Sequence, residues 1–244
     1  MPDVLQEISG IAFNKGDSSF VFAQQDEDGK LFKLPLGSKE KIATKFASKG
    51  DYEDVTIIND WVIMLKSNGD LFSFPISEIN NPEATNVIET KKIVPKGEYE
   101  GLFADEASGK VYVLCKECKE DKKSKLTSVY VLTFQPEGSF KADATFKIDA
   151  GQMDNLTGKK KGTFHPSALA INPLTKEWYV VSSVNKALVV LDQNWQVKNV
   201  YHLSSNTFNQ PEGIAFDKAG NLYISNEGSE TQLGNILRFN YKKP

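Results

Sequence analysis

The sequence predicts an all-β fold: a five-bladed β-propeller of four-stranded blades, its ring closed near the two termini. Three observations lead there. A short phrase recurs five times. Each recurrence is followed by strands rich in Val, Ile, Phe, Tyr and Leu. No long stretch keeps the helical spacing of apolar residues. The phrases are Ser9-Gly10-Ile11-Ala12-Phe13, Glu53-Asp54-Val55-Thr56-Ile57, Glu100-Gly101-Leu102-Phe103-Ala104, Ser167-Ala168-Leu169-Ala170-Ile171 and Glu212-Gly213-Ile214-Ala215-Phe216. Their first residues lie 44, 47, 67 and 45 positions apart. Four strands in about 45 residues is the arithmetic of a propeller blade. A β-sandwich offers no reason for such a period.

Each unit then reads in order. The phrase is the innermost strand, and its mixture of Gly, Ala and Ser with large apolar residues suits the crowded axis where blades converge. Second strands are expected at 20–24, 61–66, 110–115, 178–183 and 221–225. The turns before them carry Asp105 with Gly109 and Asp217 with Gly220, residue types that suit tight hairpins. Third strands are expected at 30–34, 70–75, 128–134, 187–192 and 234–241, and fourth strands at 41–46, 91–94, 145–149 and 197–203. Two polar insertions in unit three, at 116–125 and 151–162, account for the long interval. The last unit has room for three strands, so its outer strand is expected from residues near 1–4 or from sequence upstream of Met1. Residues 1–244 are read as one propeller domain with blades starting near 9, 53, 100, 167 and 212.

Composition narrows the function. Hydrophobic residues make up 40% and charged residues 25%, a soluble globular profile. The net charge of −3 supplies no basic field for nucleic acid or anionic lipid. No run approaches the ~20 apolar residues of a membrane helix. The lysine-rich stretches at 119–125 and 159–161 fall inside the insertions and read as solvated loops, so no nucleic-acid partner is expected. Trp61, Trp178 and Trp195 read as blade packing. Cys115 and Cys118 form a lone C-x-x-C, open to a redox pair, half a zinc site or a local disulfide. Nothing completes a zinc site and no βαβ unit supports a thioredoxin-like motif. A loop staple or two surface thiols is the reading that remains.

The register of the repeat places the candidate site. The first residue of every phrase begins an innermost strand, so all five meet at one end of the channel. Three are acidic: Glu53, Glu100 and Glu212. The others are Ser9, with Glu7 two residues earlier, and Ser167, with His165 two residues earlier. Second strands return to the same rim and bring Asp26, Glu27, Lys66, Glu117, Asn185, Asn226 and Glu227. Two carboxylates about 5 Å apart repel by roughly 3 kcal/mol at an effective dielectric near 20. Protonation, Lys66 or a bound cation must offset this. The donors are oxygens, which suits calcium better than zinc or copper. The competing reading makes the glutamates solvated groups or caps on backbone amides. His165 is a general-base or ligand candidate, with a simple turn residue before Pro166 as the alternative. His202 lies on an expected outer strand. No phosphate loop or nucleophile elbow occurs.

Taken together, Glu7-Ile-Ser-Gly-Ile-Ala-Phe13, Asp51-Tyr-Glu-Asp54, Glu98-Tyr-Glu-Gly-Leu102, His165-Pro-Ser-Ala-Leu-Ala-Ile171, and Gln210-Pro-Glu-Gly-Ile214 with Leu222-Tyr-Ile-Ser-Asn-Glu227 resemble the SdiA-regulated (YjiK-like) proteins. The resemblance spans nearly the whole chain in the right order. It implies a five-bladed propeller, distantly similar to NHL-repeat proteins, with a calcium site whose ligands carry over as Glu53, Glu100 and Glu212. It also implies the bacterial cell envelope, periplasm or outer surface, with a signal or lipid anchor upstream as the sole membrane contact. Unit four departs from the pattern, with Ser167 where a Glu would stand.

Two functions follow as expectations. The first is a calcium-binding recognition module that holds a protein, peptide or small ligand at the channel face. The second is a calcium-dependent hydrolase of esters, lactones or phosphoesters, with His165 or a rim glutamate as base. The absence of a catalytic constellation favours binding over catalysis.

Overall fold

The innermost strands carry apolar residues on both faces because both faces are covered: β1 (Ile8–Ala12) is buried at every position. The computed structural model describes residues 1–122, 124–158 and 162–243. In the first blade β1 is followed by β2 (Phe20–Gln25), β3 (Lys30–Pro35) and β4 (Ile42–Lys45). The second holds β5 (Tyr52–Ile58), β6 (Trp61–Lys66), β7 (Leu71–Pro75) and β8 (Ile88–Thr90). The third holds β9 (Gly97–Asp105), β10 (Lys110–Cys118), β11 (Leu126–Phe134) and β12 (Phe140–Asp149). The fourth holds β13 (Ala168–Ile171), β14 (Trp178–Ser182), β15 (Ala187–Leu191) and β16 (Val197–His202). The fifth holds β17 (Pro211–Phe216), β18 (Leu222–Asn226) and β19 (Asn235–Phe239). Every sheet is an antiparallel meander in chain order. The five sheets form a five-bladed β-propeller.

Burial grades outward. Outer strands β12 and β16 are mostly exposed and β19, outermost in blade five, has no buried residue, whereas the two inner strands of each blade are largely buried. The apolar residues form one cluster per blade interface. Val62 and Met64 join Phe22, Leu31 and Phe46 between blades one and two. Ile63, Leu65 and Leu71 meet Val111, Val113 and Leu132 between blades two and three. The remaining three interfaces are built alike. The tryptophans serve this packing. Trp61 meets Phe134 edge-on across one interface, and Trp178 stacks on Trp195 while meeting Tyr112 across the next. Burial of such rings dominates core energetics.

Turn chemistry sets the hairpins. Asp217 accepts the backbone N–H groups of Ala219 and Asn221, and Gly220 sits at φ 81°. Asn59 and Asp60, at φ 48° and 62°, make the tight link from β5 to β6, the backbone that two-residue hairpins require.

Several expectations are corrected. Residues 1–4 supply no outer strand to blade five; residues 3–5 form a 3-10 turn, and β19 is that sheet's outermost strand. The fourth strand of blade two is β8, not 91–94: Lys92 at φ 58° interrupts extended backbone there. The insertion at 116–125 is not all loop, since β10 continues to Cys118. The insertion at 151–162 contains helix α1 (Ala150–Thr157), capped by the Asp149 side chain on the Gly151 amide. Residues 159–161 and Lys123 of the lysine-rich stretches lie outside the described residues.

The ring closes at the termini. Ser225 Oγ donates to the Ser9 carbonyl at 2.6 Å. Gln6 is the clasp: its side-chain amide donates to the carbonyls of Ser229 and Gln232, both at 2.9 Å, and its Oε1 accepts the Gly234 amide at 3.1 Å. Backbone joins in, with Gly228 N–H donating to the Gln6 carbonyl at 2.7 Å.

Candidate functional site: the acidic channel mouth

One irregularity recurs in the ladders between first and second strands. Tyr52 pairs with Lys66 and Asp54 with Leu65, which leaves Glu53 as an extra residue. Tyr99 pairs with Cys115 and Gly101 with Leu114, which leaves Glu100. Pro211 pairs with Asn226 and Gly213 with Ser225, which leaves Glu212. The shift in β1 falls between Ile8 and Ile11, around Ser9. An extra residue in one strand bends it and re-aims a side chain, a device common beside functional sites. Here it turns one glutamate per blade toward the axis in three of five blades.

The bulge needs close backbone approach. A Cβ on Gly10 would lie 2.2 Å from Asp54 Oδ1, and one on Gly213 would lie 2.4 Å from the Ser9 carbonyl. Glycine at phrase position two is what lets neighbouring inner strands touch. Blade two carries Asp54 at this position. Its buried carboxylate accepts the amides of Val55 at 2.8 Å and Leu102 at 2.7 Å, which ties blade two to blade three. Asp54 is therefore structural, and its phrase position does not reach the rim.

Fifteen residues form three tiers around the mouth. The bulge tier is Ser9, Glu53, Glu100, Ser167 and Glu212. Two residues earlier stand Glu7, Asp51, Glu98, His165 and Gln210. At the ends of the second strands stand Asp26, Ser67, Lys116, Ser183 and Glu227. The tiers hold eight carboxylates against one lysine. Lys116 Nζ donates to Glu100 Oε1 at 2.5 Å and lies 3.2 Å from Glu98 Oε1. Burial works against the Lys116 charge, but Glu100 and Glu98 outweigh it and hold its pKa above that of an ordinary lysine.

The carboxylates respond to crowding. Burial, then the charges of Glu100 and Asp51, push Glu53 up to about 9. Burial pushes Glu100 up to about 7, with Lys116 opposing and Glu212 and Glu98 adding. Burial, then Glu212, Asp26 and Glu7, push Glu227 up to about 8. Glu212 is raised by burial, against hydrogen bonds from Ser167, Ser183 and Gln210. Asp26 is raised by burial and by Glu7, and its buried Oδ1 has no hydrogen-bond partner. These mutual influences place Glu7, Asp26, Glu53, Glu100, Glu212 and Glu227 in one electrostatic cluster.

The structure distributes the sequence-derived candidates unevenly. Lys116, not Lys66, supplies the internal positive charge. Asn226 is fully buried and donates to Asn235 on β19 at 3.2 Å; its neighbour Glu227 is the group that faces the cluster. His165 stands over blade four, with Nε2 2.8 Å from Thr163 Oγ1 and Nδ1 3.6 Å from Glu117 Oε1. It lines a side pocket of about 310 Å³ together with Lys116 and Cys118. His202 lies exposed on β16. Cys115 and Cys118 form a disulfide, buried at 0% and 1% exposure on β10, so the staple sits inside a strand and not in a surface loop. The opposite channel end is a cavity of about 250 Å³ lined by Phe13, Ile57, Phe103 and Phe216 together with the charged residues Lys15, Glu106, Asp217 and Lys218, so it carries both signs of charge where the first mouth is almost wholly acidic.

Among the described residues, Cys115, Cys118 and Asp121 hold ligand atoms within 4.8 Å of one another. Both sulfurs are spent in the disulfide, and Asp121 accepts from Ser128 and Lys147. Among the described residues no three of the rim carboxylates come within that limit of one another.

Fold and site together define a β-propeller with one acidic channel mouth. The chain belongs to the SdiA-regulated family, whose sequence profile matches residues 1–230. No curated protein sequence matches it significantly. Among solved structures it is similar to the glutaminyl cyclase of Myxococcus xanthus, with TM-score 0.63 and 15% identity over 95% of this chain and 89% of that one. It is also similar to a luciferin-regenerating enzyme, with TM-score 0.56 and 9% identity over 97% and 92%. A chain of a nidogen/laminin complex matches with TM-score 0.51 and 14% identity over 90% and 72%. At these identities the likeness establishes the fold alone.

Proposed function

We propose that this protein is a calcium-binding recognition module of the bacterial cell envelope, which holds a protein, peptide or small ligand at its acidic channel mouth. One observation carries the reading: repeated bulges bring Glu53, Glu100 and Glu212 into one buried cluster where burial raises the pKa of all three and Lys116 pairs with Glu100 alone among them. The donor set fits a hard cation. It is all oxygen, and Asp26 brings a buried oxygen that lacks a partner, whereas nitrogen and sulfur donors lie outside the cluster. Glu53, Glu100 and Glu212 would hold the ion, with Asp26 and Glu227 in support. The ion would supply charge neutralisation and a Lewis-acidic anchor for a ligand oxygen. The buried disulfide supports the envelope setting, because such bonds persist in oxidising compartments.

The hydrolytic alternative has weaker support. Two of the structural neighbours are enzymes, but His165 Nε2 is engaged by Thr163 Oγ1, and the carboxylate nearest Nδ1 is Glu117 at 3.6 Å, not one of the three bulge glutamates.

Thermal melts in EGTA and in millimolar calcium test the metal. A ligand of the native state raises the melting temperature by mass action. Calcium is expected to raise it, and the combined Glu53→Gln, Glu100→Gln and Glu212→Gln protein is expected not to respond. An equal melt with and without calcium in the unmodified protein would refute the reading.

A further inference from the structure

The one cation inside the acidic mouth sits between the two disulfide cysteines in sequence: Cys115-Lys116-Glu117-Cys118. Geometry explains the arrangement. Residues three apart on a regular strand lie about 10 Å apart, whereas the Cα atoms of Cys115 and Cys118 are 6.0 Å apart. The contraction is a bulge. Cys115 pairs with Tyr99, Glu117 with Glu98 and Cys118 with Gly97, and Lys116 is left without a partner across the ladder. The extra residue is thrown toward the axis, where its ammonium meets Glu98 and Glu100. The matching positions in the other blades, Asp26, Ser67, Ser183 and Glu227, carry no disulfide and no positive charge.

Blade three is built around this element. Gly97 is required opposite it, because a Cβ there would lie 2.5 Å from Cys118 Sγ. Cys115 packs in the apolar cluster between blades two and three. Cys118 also lines the side pocket of about 310 Å³, alongside His165 and Thr163. Cys118 is only 1% exposed, and this pocket is the side from which a small dithiol would approach it.

We propose that the Cys115–Cys118 disulfide is a redox latch that holds Lys116 in the acidic mouth as a tethered counter-ion, and that its reduction releases Lys116 and raises the affinity of the mouth for an external cation. The inference rests on the cation-binding reading above. The chemistry is thiol–disulfide exchange with a dithiol as reductant. A dithiol thiolate attacks Cys118 Sγ, the Cys115–Cys118 bond breaks, and Cys115 leaves as a thiolate that takes up a proton. The second thiol of the reductant then displaces Cys118 and closes its own disulfide. Two electrons and two protons pass to the protein, which gains two thiols. Without the bond the bulge relaxes toward a regular ladder, and Lys116 loses its fixed direction.

The test is calcium titration by calorimetry on four forms: oxidised protein, protein reduced with dithiothreitol, the Cys115→Ser/Cys118→Ser double variant, and Lys116→Met in both redox states. Reduction is expected to tighten calcium binding about tenfold. The double variant should match the reduced protein, and Lys116→Met should bind tightly with less than a twofold response to reduction. Equal affinity of oxidised and reduced protein, or a full response in Lys116→Met, overturns the latch. A second readout needs no calcium: the acetylation rate of Lys116 followed by mass spectrometry, with Lys45 as reference. Reduction is expected to speed Lys116 acetylation at least fivefold, and an unchanged rate overturns the latch. Failure of every form to bind calcium, with Lys116 still released on reduction, would refute the calcium reading while leaving the latch intact.

Discussion

Glu53 and Asp54 are adjacent carboxylates with opposite duties. Asp54 spends its oxygens on two backbone amides from two blades. Burial raises both carboxyl groups, Asp54 well above its usual range and Glu53 up to about 9, but at Glu53 the negative charges of Glu100 and Asp51 add to it where Asp54 has backbone amides opposing. At neutral pH the metal-free protein therefore holds Glu53 in its protonated form, which an amide mimics in shape and charge. Glu53→Gln is expected to melt within about 2 °C of the unmodified protein in EGTA, while the calcium-induced rise is largely lost. A large loss of stability in EGTA would show that Glu53 is ionised and paired. Lys116 is the residue that sequence reasoning passed over. The expected end of the second strand puts Glu117 at the rim, and the second bulge in β10 moves that place to Lys116.

At the scale of elements, the inner strands do two things at once. Their bulges present side chains to the axis, and their glycines let blades approach. Gly213 shows the cost of crowding: a Cβ there would lie 2.3 Å from Ser225 Oγ and 2.4 Å from the Ser9 carbonyl, the two groups that bond blade five to blade one. Gly213→Ala is expected to destabilise by about 1–3 kcal/mol, as overpacking does. A urea titration measures it, with the midpoint lowered and the slope unchanged. An unshifted midpoint would mean that the closure accommodates the added methyl group. The blade phrases were legible as repeats because every inner strand meets the same steric demand. The bulges were not, because an extra residue has no local composition that marks it.

The whole molecule is a ring that concentrates carboxylates at one end, and this couples its stability to pH. Glu100, Glu227 and Glu53 are raised to about 7, 8 and 9, above the ~4.3 of an exposed glutamate. The folded state thus binds more protons than the unfolded state between those limits. Their contribution to stability is complete below about pH 4 and is lost as pH rises through 7 to 9. Melting temperatures in EGTA are expected to fall from pH 6 to pH 9, and saturating calcium to recover most of the loss at pH 9. A metal-free protein that grows more stable over that interval would contradict the protonation assigned to the mouth.

The five-blade architecture, the rim position of Glu53, Glu100 and Glu212, and the packing role of the tryptophans were determined by the sequence alone. Each rests on a period, and a period is a local signal repeated often enough to be read. Only the tertiary structure decided three things. Gln6, far from blade five in the chain, clasps Ser229, Gln232 and Gly234 to close the ring. Asn226 turns inward while Glu227 faces the axis. Lys116 becomes the counter-ion of Glu98 and Glu100. All three depend on where a bulge or a chain end places a side chain in space, and neither leaves a periodic trace in the sequence.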